Sequence, residues 1–183
     1  TDDVSNCTTP TTERAHGRES ERMNDTTIGE RAAELLVEHG YCTREEVKGC
    51  TEEDLETLED RYDVALPEAY KSCMRHIGRY PGTLLAGSEF AYPEMELQTK
   101  FARETAEEYA TNFELPADIF VFCGLQGYAF DCFRTEMGDD PPVYLFMDFE
   151  PEKDGGGYDL RQQSDSFSEW LFDEITSQDP PEI

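Results

Sequence analysis

Two periodicities divide the chain. From Thr27 to Thr111, apolar residues return every three or four positions; from Ile119 onward they alternate or run together in short blocks. "IGERAAELLVEHG" puts Ile28, Ala32, Leu35 and Leu36 on one helical face, with Gly40 to stop it. Thr27 and Glu30 open that face with the spacing of a capping box. There the hydroxyl takes a free N–H of the first turn and the acid reaches back to the cap. The same spacing recurs at Thr43–Glu46, predicting a short helix that ends near Gly49. It recurs at Thr51–Asp54, before Leu55, Leu58 and Tyr62, and at Ser166–Glu169, before Phe167, Trp170, Leu171 and Ile175. "ALPEAYKSCMRHIGRYPG" predicts another helix. Pro67 suits its first turn because the missing N–H would be unpaired there. Tyr70, Met74 and Ile77 recur with Cys73 beside them, and Gly78 and Pro81-Gly82 end it. A further helix is expected from Glu94 to Thr111, with Leu97, Phe101 and Ala102 inward.

Strands are expected later. Ile119–Phe122 is a compact apolar run. Tyr128, Phe130 and Cys132 alternate with Ala129, Asp131 and Phe133, and Val143–Phe149 alternates again after Pro141-Pro142. Gly124 and Gly127 supply the permissive backbone of a turn between the first two runs. "TLLAGSEFAY" is a further short-strand candidate. Neighbours joined by turns pair antiparallel, since parallel ones need long crossovers. Helices, then a meander, then a closing helix give an α+β fold with an antiparallel sheet of about four to six strands. One face of that sheet is expected to lie under helices. Residues 1–26 and 177–183 hold too few large apolar side chains to offset chain entropy and are expected to be tails. The remainder divides into a helical extension at 27–50 and a domain at 51–176.

Charge narrows the function classes. There are 42 acidic residues against 15 basic ones, a formal net charge of -27. Such a chain repels phosphate backbones and anionic membranes, so no nucleic-acid or membrane partner is expected. A basic protein suits it, because opposite potentials speed encounter and fix orientation. Salt adaptation is the other reading, and only four of the fifteen basic residues are lysine. Six cysteines, at 7, 42, 50, 73, 123 and 132, include no C-x-x-C pair. Several fall in apolar patterns, where a reduced thiol packs as a small hydrophobe. There is no run of about 18 apolar residues to span a membrane. No leader is visible, although a start without Met leaves processing open; a cytoplasmic location is the expectation.

The order of pieces resembles the SUKH superfamily. "LEDRYDVALPEAYKSCMRHIG" is similar to its opening signature, a helix with a Leu-Glu pair leading to a Leu-Pro-x-x-Tyr helix, here Leu58-Glu59 and Leu66-Pro67-Glu68-Ala69-Tyr70. The later pieces agree: Ile119–Phe122, the Gly124–Gly127 turn, a strand reaching Asp131, Pro142-Val143-Tyr144, Asp148 with Glu150, and a closing helix with Ser166-Phe167 and Trp170-Leu171. The likeness spans about residues 51 to 176. Two positions depart from it: Ile77-Gly78 stands for a common Asn-Gly, and Phe149 for the histidine of a common Asp-His-Glu. The resemblance implies a non-enzymatic binding domain. Bacterial members resemble immunity proteins that neutralise polymorphic toxins, often nucleases. Members of the yeast cell-wall-regulator (Smi/Knr) type are scaffolds or regulators.

The residues offer little else. His16, His39 and His76 fall on separate elements and no two of them have i, i+4 spacing, so neither metal nor cofactor is expected. Asp131, Asp148 and Glu150 form the one carboxylate set from which a hydrolase is conceivable, if strand ends bring them together. No G-x-S-x-G elbow and no phosphate-cradling G-x-x-x-x-G-K occurs. The expected partner contacts are the acidic positions Asp139, Asp140, Asp148, Glu150, Glu152 and Asp154. The expected partner is a basic protein such as a cognate toxin; the alternative is a regulatory module without one.

Overall fold

Thr27 does what its spacing predicts. At helix α1 (Ile28–Glu38) its hydroxyl accepts the Glu30 N–H at 3.2 Å, and the Glu30 carboxylate accepts the Thr27 N–H at 2.8 Å. Thr51 and Asp54 repeat the exchange at α2 (Glu52–Tyr62). Helix α3 (Glu68–Ile77) follows Pro67 and buries Tyr70, Cys73, Met74 and Ile77. Ser166 accepts the Glu169 N–H at the head of the last helix, α5 (Phe167–Ser177), but the Glu169 carboxylate turns to the Ser164 hydroxyl and the Asp165 N–H. These elements belong to a computed structural model that describes residues 26–110, 113–150 and 157–177. The expected tails fall outside it except for Thr26 and Ser177, as do Cys7, His16, Glu152 and Asp154.

The helix expected after Thr43 does not form. Glu46 accepts both the Thr43 N–H, at 2.8 Å, and its hydroxyl, at 2.7 Å, yet one turn results. The chain must straighten so that Lys48 can pair with Tyr80. A Cβ on Gly49 would stand 1.7 Å from the Arg75 carbonyl oxygen, so the segment lies directly on α3 with no room for a helical turn.

Four strands form one antiparallel sheet in the order β1 (Ile119–Leu125), β2 (Ala129–Arg134), β3 (Val143–Asp148), β4 (Tyr158–Ser164). The fold is α+β. Strand β4 is an addition to the expected set. The candidate strand in Thr83–Tyr92 is instead a turn-rich segment that meets β1 through one bridge, Glu89 to Gly124.

Helices cover both faces of the sheet rather than one. Helices α1, α3 and α5 enclose a core with Phe120, Phe122 and Phe133 of the sheet. Tyr70 sits at its centre, edge-on to Phe120, Phe133 and Phe167 with ring centroids 5.3–5.5 Å away. Ala32, Leu35 and Leu36 bring α1 into the same core. On the other face, α4 (Gln98–Tyr109), entered through a 3₁₀ turn at Glu94–Leu97, lays Ala102 and Ala106 over Val121, Phe130, Cys132 and Phe146. Its register differs from the expected one. Leu97 and Phe101 are each 39 % exposed, and Gln98 and Thr99 are buried with Ala102. The cause is close contact with β1: the Thr99 hydroxyl accepts the Val121 N–H at 2.8 Å, and only small or slender side chains fit there.

Candidate functional site

Strand pairing sorts the candidate carboxylates into two groups at opposite ends of the sheet. Asp139 and Asp140 precede β3; Asp148 ends it and Glu150 follows. A strand of that length separates them by about 17–20 Å. Asp139 and Asp140 have structural employment. The Asp139 carbonyl accepts the Ala69 N–H at 2.9 Å at the start of α3. The Asp140 carboxylate accepts the Ser168 N–H at 2.9 Å and its hydroxyl, so a negative charge closes the first turn of α5.

Asp148 ties the neck of the β3–β4 loop, accepting the Glu150 N–H at 2.9 Å and the Gly157 N–H at 2.8 Å. Phe149 donates its N–H to the Gly157 carbonyl, and the Arg161 guanidinium lies 3.8 Å over the Phe149 ring. Glu150 is exposed at this neck. Glu152 and Asp154 belong to the same loop, outside the described residues.

The β1–β2 turn reaches the same end of the sheet. Ala129 pairs with Met147, so Tyr128 adjoins Asp148. Tyr128 is 48 % exposed and Leu125, on the other side of the turn, 38 %. Apolar surface and carboxylates thus meet at one edge, a union that sequence distance concealed. Gln126 and Gly127, both with positive φ, close the turn tightly enough to present them.

The three carboxylates of the hydrolase reading do not converge. Asp131 lies opposite Leu145 on β3, and Asp148 is three residues further along, so alternation sends their side chains to opposite faces. Asp131 faces α5 instead. Burial pushes its carboxyl up to about 6, the nearby Glu174 carboxylate adds to this, and the Gln163 amide donates to it. Burial likewise raises Glu174. The two acids lie where the sheet meets α5, on the face away from Asp148.

Among the described residues the five cysteines are free thiols. Cys50, Cys73, Cys123 and Cys132 are buried, and burial raises each thiol, to about 12 for Cys50 and Cys123. Thiols held so far from ionisation are poor nucleophiles and poor metal ligands. No group of three or more His, Cys, Asp or Glu arranged to hold a metal occurs among the described residues. None of their helices is long and apolar enough to cross a membrane.

The cations are largely spoken for. Arg31, Arg61, Lys71, Arg75, Lys100 and Arg134 each stand against a carboxylate. Arg79 holds Asp54 through two N–H groups, at 2.6 and 3.0 Å. With 42 acids to 15 bases, the surplus left facing solvent is negative.

The Leu-Glu and Leu-Pro-x-x-Tyr residues are part of the framework: Leu58, Leu66 and Tyr70 are buried in the main core. No curated protein matches the chain. The sequence model of the SMI1 / KNR4 family (SUKH-1) matches residues 49–173, which takes in that framework, all four strands and most of α5. By that match, over well more than half of its length, the chain belongs to the SMI1 / KNR4 family (SUKH-1).

Proposed function

We propose that this chain is a non-enzymatic protein-binding domain that acts as an immunity protein, meeting a basic toxin in the cytoplasm through the sheet end that carries Tyr128 and Asp148. Family membership is consistent with an immunity-like or a regulatory module. The observation that carries the reading is the exposed Tyr128 beside the Asp148–Glu150 neck. An amphipathic ring at the centre of a contact supplies affinity, and surrounding carboxylates steer a cationic partner and set its orientation. Asp148, Glu150, Glu152 and Asp154 form the acidic part of this contact. Asp139 and Asp140 are peripheral to it.

The test is association with the basic protein encoded beside the gene, followed by stopped flow from about 50 to 500 mM salt. Steered capture slows steeply as salt rises. Tyr128→Ala speeds dissociation and leaves thermal stability unchanged. Binding that ignores both salt and Tyr128→Ala overturns the proposal. If no toxin gene lies alongside, the same surface serves a regulatory partner.

A further inference from the structure

Two buried acceptors belong to residues that adjoin Gly124. Glu89 exchanges both backbone hydrogen bonds with Gly124, at 2.8 and 3.2 Å, so the two residues are directly opposed and their side-chain positions share a face. The position a Cβ on Gly124 would take lies 2.2 Å from Gln98 Oε1. The missing side chain is the space that the Gln98 amide fills, and the Glu89 side chain leaves the chain on that same face. Gln98 is 5 % exposed. Neither Gln98 Oε1 nor Glu89 Oε2 finds a donor among the described residues. Leaving a buried acceptor unmatched costs about 1–3 kcal/mol, more for a charged group. A fold keeps two of them together most readily where something else brings the donors.

We propose that Glu89 and Gln98 form a socket for one arginine of the basic partner. Gln98 is the floor and half-buried Glu89 the mouth. A guanidinium presents several N–H donors in one plane and satisfies two separate oxygens at once, with its charge set against the carboxylate. Phe101, one turn beyond Gln98 on α4, offers exposed apolar surface for the arginine stem. The socket lies at the end of β1 that leads into the Leu125–Tyr128 turn, so it extends the contact proposed above and rests on that reading.

The probe is a nona-arginine peptide at about 150 mM salt, with acetyl-arginine amide titrated by NMR as the monomeric form. The expected result is a saturable shift at the Gly124 amide and the Gln98 side chain. Glu89→Gln and Gln98→Met should each weaken the peptide about tenfold. Gln98→Met should also leave the melting temperature of the free protein equal or higher, because it removes an unmatched acceptor. Equal binding by wild type and both variants overturns the socket and leaves the acidic-contact reading standing. Failure of wild type to bind the peptide at any salt overturns both. A Gln98→Met protein that loses stability along with binding shows a structural role, and also overturns the socket.

Discussion

The Glu59 carboxylate accepts the Leu66 N–H at 2.8 Å, fastening the end of α2 to the residue before Pro67. Lys71 stands 3.6 Å from the same carboxylate. The bond fixes the corner from which α3 leaves, and so aims Tyr70 into the sheet aromatics. The Leu-Glu and Leu-Pro-x-x-Tyr pattern is thereby a corner with a physical purpose. Pro67 sets the entry angle, Glu59 satisfies the backbone donor beside it, and Leu58, Leu66 and Tyr70 supply the burial.

Glu59→Ala should lower stability in urea unfolding by about 1–2 kcal/mol, and Glu59→Gln, which keeps an acceptor, by less. Equal losses from both would assign the effect to the Lys71 charge instead of the Leu66 bond.

Asp131 should make the fold prefer acid. Its carboxyl is raised from 3.8 to about 6, chiefly by burial, so the folded state holds the proton more tightly than the unfolded chain does. That contribution is complete below the unfolded value and is lost as pH rises through about 6. Asp131→Asn keeps an acceptor for Gln163 and removes the charge. It should raise the melting temperature by a few degrees at about pH 7.5 and give no difference at about pH 3, read from paired thermal scans.

Asp140→Ala should cost about 1 kcal/mol, because the first turn of α5 loses its carboxylate acceptor. The rate of partner capture should stay within about twofold of wild type, since Asp140 lies at the other end of β3 from Tyr128. Glu150→Gln should do the reverse, slowing capture without moving the unfolding midpoint. Denaturation and stopped-flow traces on the two variants separate the roles.

Thiol reagents should find Cys50, Cys73, Cys123 and Cys132 closed in the native protein and open only on unfolding. Cys42, which is partly exposed, should react first among these five. Peptide-resolved mass spectrometry after a short alkylation reads the order. Early labelling of Cys73, which is fully buried, would contradict the packing of α3.

The sequence made legible whatever a single element decides for itself. The caps at Thr27 and Thr51, the stripe from Tyr70 to Ile77 and three of the four strands follow from local spacing. Thr43 and Glu46 misled because their hydrogen bonds form as expected, while Lys48 and Gly49 answer to α3 and Tyr80. Leu97 and Phe101 misled because bulk normally turns inward, and here the surface of β1 admits only Gln98, Thr99 and Ala102. Strand β4 was hidden because its outer half, Arg161 to Gln163, is exposed and carries no alternation. The candidate site suffered most. Tyr128 comes beside Asp148, and Glu89 and Gln98 each reach Gly124, only through pairings between separate segments.

Strand β4 has a consequence for how the sheet ends. With β1 it is one of the two edge strands, and a bare strand edge is a template onto which another chain can add. Here that margin is studded with Asp159, Arg161, Gln162 and Gln163, all exposed. Ionic and amide groups along such a margin discourage cross-β growth between copies. This edge of the sheet is thereby guarded against strand-to-strand polymerisation.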